Sequence, residues 1–174
     1  MVRKLLSACL LGGCGVLAAA DIAFTGGGDG AGTDLADAAN WAGGALPGAE
    51  DVAVVDLSRA TSGATLTCSA DLALGGLVLT NLTASTATLQ SERTLTLGAQ
   101  GFSVHVQGVN LAARGLRGVE FKLPLATAAA QTWTFNGMPA RFHSTISGTA
   151  GLTISTPRWS GRAARRSSAR RRSG

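Results

Sequence analysis

Tyrosine is absent from this chain, and histidine, cysteine, proline and acidic residues are all sparse. Each scarcity closes a route. The two histidines, His105 and His143, share no metal-ligand spacing, which argues against a histidine-built metal site. Between Leu72 and Thr156 the only acids are Glu92 and Glu120. That stretch therefore lacks the paired carboxylates that glycoside hydrolysis needs, and the acid cluster of a calcium-dependent lyase. Beyond Ala20 no long apolar run occurs, so no membrane span is expected there. Helical periodicity is missing too. Residues 126–130 are the best local stretch and too few for a stable helix.

Charge of either sign is scarce and unevenly placed. Seven of the 15 basic residues are arginines after Pro157. Residues 1–157 hold 8 basic and 10 acidic residues, a balance of −2. The high isoelectric point thus belongs to the tail rather than to the body. Residues 157–174 contain only Arg, Ser, Ala, Gly, Pro and Trp, and the alternation before them stops abruptly. Two readings stand. One is an out-of-frame translation of GC-rich coding sequence, which the abrupt change favours. The other is a basic arm for nucleic acid or an anionic surface.

The N-terminus has the three-part layout of a secretory signal: Arg3 and Lys4, an apolar run from Leu5 to about Leu17, then Ala18, Ala19 and Ala20 before Asp21. Cleavage between Ala20 and Asp21 is favoured. Leu11, Gly12, Gly13 and Cys14 also resemble a lipobox, which would place a lipid anchor on Cys14. Cleavage at Ala20 leaves Cys68 as the sole cysteine and excludes an internal disulfide. Cys68 lies on the apolar phase of its segment and is expected to be buried.

What the chain has in quantity is glycine, threonine and a period of two. Asp51 to Asp56 reads as the first clear strand. Apolar residues then alternate with polar ones from Leu66 to Leu74, at Leu95 and Leu97, from Phe102 to Val106, from Val119 to Leu125, at Trp133 and Phe135, and at Leu152 and Ile154. The spacing from Leu77 to Leu95, and the similar one from Trp133 to Leu152, suggest a repeat of roughly 20 residues. The pattern predicts an all-β fold, a right-handed parallel β-helix of about five or six rungs estimated from that repeat. A β-sandwich or jelly roll is the alternative. The organisation expected is a signal peptide over 1–20, a Gly- and Asp-rich lead-in and cap over 21–50, β-helix repeats over 51–156, and the arginine-rich tail over 157–174. Thr, Ser, Asn and Gln are expected to line the outer faces. Pro124 must sit where no ladder N–H is required.

Several of these segments resemble a known family. Residues 37–56, DAANWAGGALPGAEDVAVVD, resemble the N-terminal lead-in of large secreted bacterial β-helix proteins. Gln131, Thr132, Trp133, Thr134 and Phe135, with Ile146, Ser147, Gly148 and then Gly151 to Ile154, resemble the autotransporter-associated β-strand repeat. The resemblance covers residues 24–155. It implies a parallel β-helix with a secreted or cell-surface role in a bacterium, and no particular chemistry.

Candidate chemistry is thin. The glycine-rich stretch 26–30 lacks the Lys-Ser/Thr of a P-loop and reads as a turn. With Asp29, Asp34 and Asp37 it does not match a calcium loop. Trp41 is a candidate for stacking on a sugar, against the plainer reading that it covers the end of the core. His105, Lys122, Arg141 and His143 are weak surface-site candidates, with His105 and His143 on outward phases. The expected function is a non-catalytic exported structural or adhesin-like segment, without cofactor or metal. Its partners would be a cell-surface polysaccharide or other surface proteins, with no specific nucleic-acid binding and with membrane contact only through Cys14. One alternative is a carbohydrate-active β-helix in which His105, Lys122 and Arg141 or His143 share one face. Another is a basic-tailed binder of nucleic acid or anionic surfaces.

Overall fold

Period-two alternation becomes strands throughout the computed structural model, which describes residues 19–27, 30–58, 64–80, 86–105, 118–136 and 138–155. Cys14, the arginine-rich tail and most of the expected signal lie outside those residues. The strands are β1 (Asp21–Phe24), β2 (Val52–Asp56), β3 (Ala64–Thr67), β4 (Leu72–Thr80), β5 (Thr86–Gln90) and β6 (Leu95–His105). They continue with β7 (Gly118–Lys122), β8 (Leu125–Thr127), β9 (Gln131–Thr134), β10 (Ala140–Phe142), β11 (Ile146–Ser147) and β12 (Leu152–Ser155). The only described helices are two short 3-10 turns, Ala38–Asn40 and Ala42–Gly44. The chain is all-β.

Two parallel sheets hold these strands. An 8-stranded sheet runs β1-β2-β4-β6-β8-β11, with β9 on β6 and β12 on β9. A 4-stranded sheet runs β10-β7-β5-β3. Every pairing between named strands is parallel. The chain alternates between the sheets, so each visit lays a strand beside the strand of the preceding visit. Like residues consequently stack. Ile22, Ala53, Leu77, Phe102, Trp133 and Ile154 form one ladder of the large sheet. Leu72, Leu95, Leu125 and Ile146 form another. Leu66, Leu89, Phe121 and Phe142 form the ladder of the small sheet. Strands buried by parallel stacking need such apolar runs.

The two sheets meet through aromatic side chains. Phe102 of β6 packs edge-on to Phe121 of β7 with ring centroids 5.1 Å apart. Phe121 stacks on Phe142 at 4.9 Å, and Trp133 of β9 lies 5.7 Å from Phe142. One apolar cluster runs from Leu35 to Met138. It thins toward β11 and β12, where Ile146 is 40% and Ile154 51% exposed.

Several expectations change in detail. The apparent strand from Leu66 to Leu74 is two strands in different sheets. The chain turns at residues 68–71, where Ser69 N–H donates to the Asp34 carboxylate and the Asp71 carboxylate accepts from Thr94 N–H. Register varies from layer to layer: Gln131 aligns with Leu152, Ala64 with Ala87, and Thr86 with Gly118, the widest of these separations in sequence. Leu77 aligns with Phe102 rather than Leu95, and Trp133 with Ile154 rather than Leu152. The separations between aligned strands are thus longer and less regular than the expected spacing of roughly 20 residues, because the turns between strands vary in length. A strand precedes Val52, since β1 pairs with β2. Pro124 falls between β7 and β8, where its carbonyl accepts from Leu95 N–H.

Not every amide side chain faces outward. Gln131 is buried, and its Nε2 donates to the Leu97 carbonyl at 2.8 Å while its Oε1 accepts from Trp133 Nε1 at 2.6 Å. A buried amide with partners on both ends escapes the desolvation cost that keeps such groups at the surface. Asn40 and Thr127 are buried as well.

Glycines allow the close approach of successive layers. A Cβ on Gly75 would run into the Glu50 carbonyl, and one on Gly98 would lie 3.2 Å from the Gly75 Cα. The β4–β6 register shifts at this same point, between Leu74 and Gly76. Gly75→Ala should therefore lower the unfolding free energy by about 1–3 kcal/mol, the usual cost of overpacking. Gly151→Ala, whose added methyl meets nothing within 4 Å, should leave it nearly unchanged. Urea unfolding of both variants checks this.

Candidate functional site

The small sheet's outer face gathers the charges that the sequence scatters. In β7 the residues Val119 and Phe121 point into the core, so Glu120 and Lys122 project from the opposite face. Parallel pairing sets Arg141 of β10 beside Glu120. His143 follows β10, tied down by its N–H bond to the Phe121 carbonyl at 2.8 Å. The result is one carboxylate ringed by three basic side chains. Lys122 Nζ lies 3.2 Å from Glu120 Oε2, Arg141 Nη1 lies 3.5 Å from Oε1, and His143 Nε2 lies 4.0 Å from Oε2.

Glu120 is the residue that sequence reasoning misses. Its shared phase with Lys122 is readable, but its meeting with Arg141 depends on which strands lie side by side. The Lys122 ammonium, which hydrogen-bonds the carboxylate, holds Glu120 below the usual carboxylate range against the opposing effect of desolvation. The charges of Lys122, His143 and Arg141 act in the same direction. A carboxylate held ionised in this way is a poor proton donor near neutral pH. The basic side chains are about half exposed, so the ion pairs contribute little to stability.

The other candidates separate. His105 ends β6 in the large sheet, exposed, with Nε2 3.1 Å from Ser103 Oγ. It does not share a face with Lys122, Arg141 and His143, which belong to the small sheet and the turn after it. Trp41 is not a surface residue. It is 2% exposed, its Nε1 donates to the Leu35 carbonyl at 2.9 Å, and its ring meets Phe24 edge-on at 5.0 Å. An indole so enclosed has no free face for a sugar. Ala20 immediately precedes β1, and Asp21 opens it. The Ala20 N–H donates to the Asp51 carboxylate, and Asp21 pairs with Val52.

The acidic lead-in is organised by backbone hydrogen bonds. Partial burial of Asp34 would raise its carboxyl, but bonds from the Ser69 hydroxyl, Ala36 N–H and Ser69 N–H outweigh it and hold the group low. Asp37 caps the first 3-10 turn by accepting from Ala39 N–H. Among the described residues no group of three His, Cys, Asp or Glu side chains is placed to hold a metal. Cys68 is buried, and desolvation followed by the Asp34 charge pushes its thiol up to about 12. Such a thiol stays protonated and unreactive. A cleft of about 480 Å³ opens beside the glycine-rich turn, with Phe24, Val55, Asp56, Leu57 and Leu66 in its wall, away from the Glu120 cluster. No protein-family model, curated protein or solved structure matches the chain.

The Glu120 arrangement has a defined pH signature. A carboxyl whose folded value is depressed adds stability above its unfolded value, and that stability is lost as pH falls through the folded value. For Glu120 the loss therefore begins below its reference value of 4.5. A carbon-detected NMR titration should place the Glu120 midpoint below that value, and Lys122→Met should move it upward. An unchanged midpoint in the variant would remove Lys122 as the principal partner.

Proposed function

We propose that this chain is a right-handed parallel β-helix that serves as a non-catalytic, exported structural or adhesin-like segment on a bacterial surface. The observation that carries this reading is the register. All pairings between named strands are parallel, and aligned partners such as Gln131 with Leu152 or Thr86 with Gly118 lie far apart in sequence while the chain alternates between two sheets. Right-handed connections between parallel strands are strongly preferred, which supports the hand. A stack of this kind grows by about 4.8 Å per layer and offers long, regular outer faces. Here those faces carry Thr65, Thr88, Gln90, Thr96, Thr132 and Thr153, hydroxyl and amide groups suited to a hydrated polysaccharide or another surface protein.

The segment over 131–154 supports the same reading through its resemblance to the autotransporter-associated repeat. The signal-like layout of residues 1–20 supports export, with soluble release after Ala20 preferred over a lipid on Cys14. The Glu120 cluster supports a carbohydrate-active alternative only weakly, because His105 stands on the other sheet and the partners of Glu120 among the described residues are basic.

Protease treatment of intact bacteria producing the full chain should remove it while leaving cytoplasmic markers whole, and N-terminal sequencing of the mature form should begin at Asp21. Detection of the chain only in the cytoplasm, with Met1 retained, would contradict the proposal.

A further inference from the structure

Because successive layers follow chain order, position along the sequence is position along the stack. Charge is sorted along that direction. Among the described residues, 21–80 hold seven acidic residues and no basic one, whereas 81–155 hold two acidic residues and three basic ones, Arg93, Lys122 and Arg141. Asp21 and Asp37 are exposed at the first end. At the other end Arg141 and His143 both lie against Glu120.

The two ends also offer complementary backbone edges. Among the described residues β1 pairs only with β2, apart from a single bridge from Phe24 to Trp41, and β12 pairs only with β9. Both strands belong to the large sheet and to the same set of stacked strands. Side chains at the second end remain exposed, with Ile154 at 51% and Ile146 at 40%. An unpaired parallel edge with exposed apolar residues is a template for another strand.

We propose that the face formed by β10, β11 and β12 docks onto the β1 face of a second copy of this chain, head to tail. In that arrangement β12 of one copy continues into β1 of the next as a parallel neighbour. Ile154 and Ile146 are covered, and the basic end meets the acidic end. The opposite arrangement, with two β12 faces together, would set like charges against each other. A heterologous contact of this type does not close on itself and builds open-ended rows. The inference rests on the stacked β-helix reading given above.

Sedimentation velocity of the full chain over a concentration series tests it. Species beyond a dimer are expected at low salt, with a shift toward monomer in about 1 M salt, where screening shortens the range of charge interactions to roughly 3 Å. Ile154→Asp blocks one end. Asp21→Lys combined with Asp37→Asn alters the other end and keeps the Asp37 cap acceptor. Each variant alone should be monomeric, because every head-to-tail contact would then include an altered face, and an equimolar mixture of the two should form a one-to-one complex through the unaltered ends. A chain that stays monomeric, as it would if residues 156–174 of the same molecule cover β12, overturns the inference. So does a closed dimer that both variants retain. Far-UV circular dichroism of each variant separates loss of association from loss of fold. A β-rich monomer would defeat the docking while leaving the proposed architecture in place.

Discussion

The backbone N–H of Leu95 bonds the carbonyl of Pro124, that of Leu125 bonds Thr145, and that of Gln131 bonds Gly151. These bonds join each layer to the next and fix its register. Once register is fixed, little else is free. Apolar residues fall on apolar residues, so Leu66, Leu89, Phe121 and Phe142 make one continuous ladder. On the outer faces Thr65 falls on Thr88 and Thr132 on Thr153, while Thr88 falls on Glu120 and Gln90 on Lys122. Parallel strands cannot be joined by tight hairpins, so the chain must cross to the other sheet and return. That return is what encloses the aromatic cluster around Phe121.

The same register creates the exceptions. Glycines sit where layers approach too closely for a side chain, as Gly75 does against Glu50. Gln131 occupies a core position because its amide joins the Leu97 carbonyl below it to the Trp133 indole beside it. In the lead-in, Asn40 and Trp41 work as a pair. Asn40 donates from Nδ2 to the Asp34 carbonyl and accepts from Thr25 through its own carbonyl. Trp41 covers Phe24 and reaches the Leu35 carbonyl. Asp34, Asp37 and Asp51 each accept from backbone N–H groups, which ties these carboxylates to the turns of the lead-in.

Much of this is legible in the sequence. Period two places Phe102, Trp133, Phe121 and Phe135 inside and His105 and His143 outside, and all six stand there. The burial of Cys68 follows from its phase. Register is not legible, because the turns between strands differ in length and period two carries no information about which strand lies beside which. Spacing alone therefore matches Leu77 to Leu95 instead of Phe102. The same gap hides the meeting of Glu120 with Arg141. Trp41 is open to two readings until Phe24 is known to lie in a strand beneath it, since short alternation at residues 21–24 gives no signal distinct from a loop.

The central claim is that strands distant in sequence pair in parallel, and cross-strand nuclear Overhauser effects in the labelled chain test it most directly. The account predicts effects of the parallel type, from amide protons to Hα protons across the strands, for Leu152 with Gln131 and for Leu89 with Phe121, the aligned partners in the two sheets. Strong effects between opposed Hα protons of strands adjacent in sequence, such as β3 with β4 or β7 with β8, would signify antiparallel hairpins and contradict it.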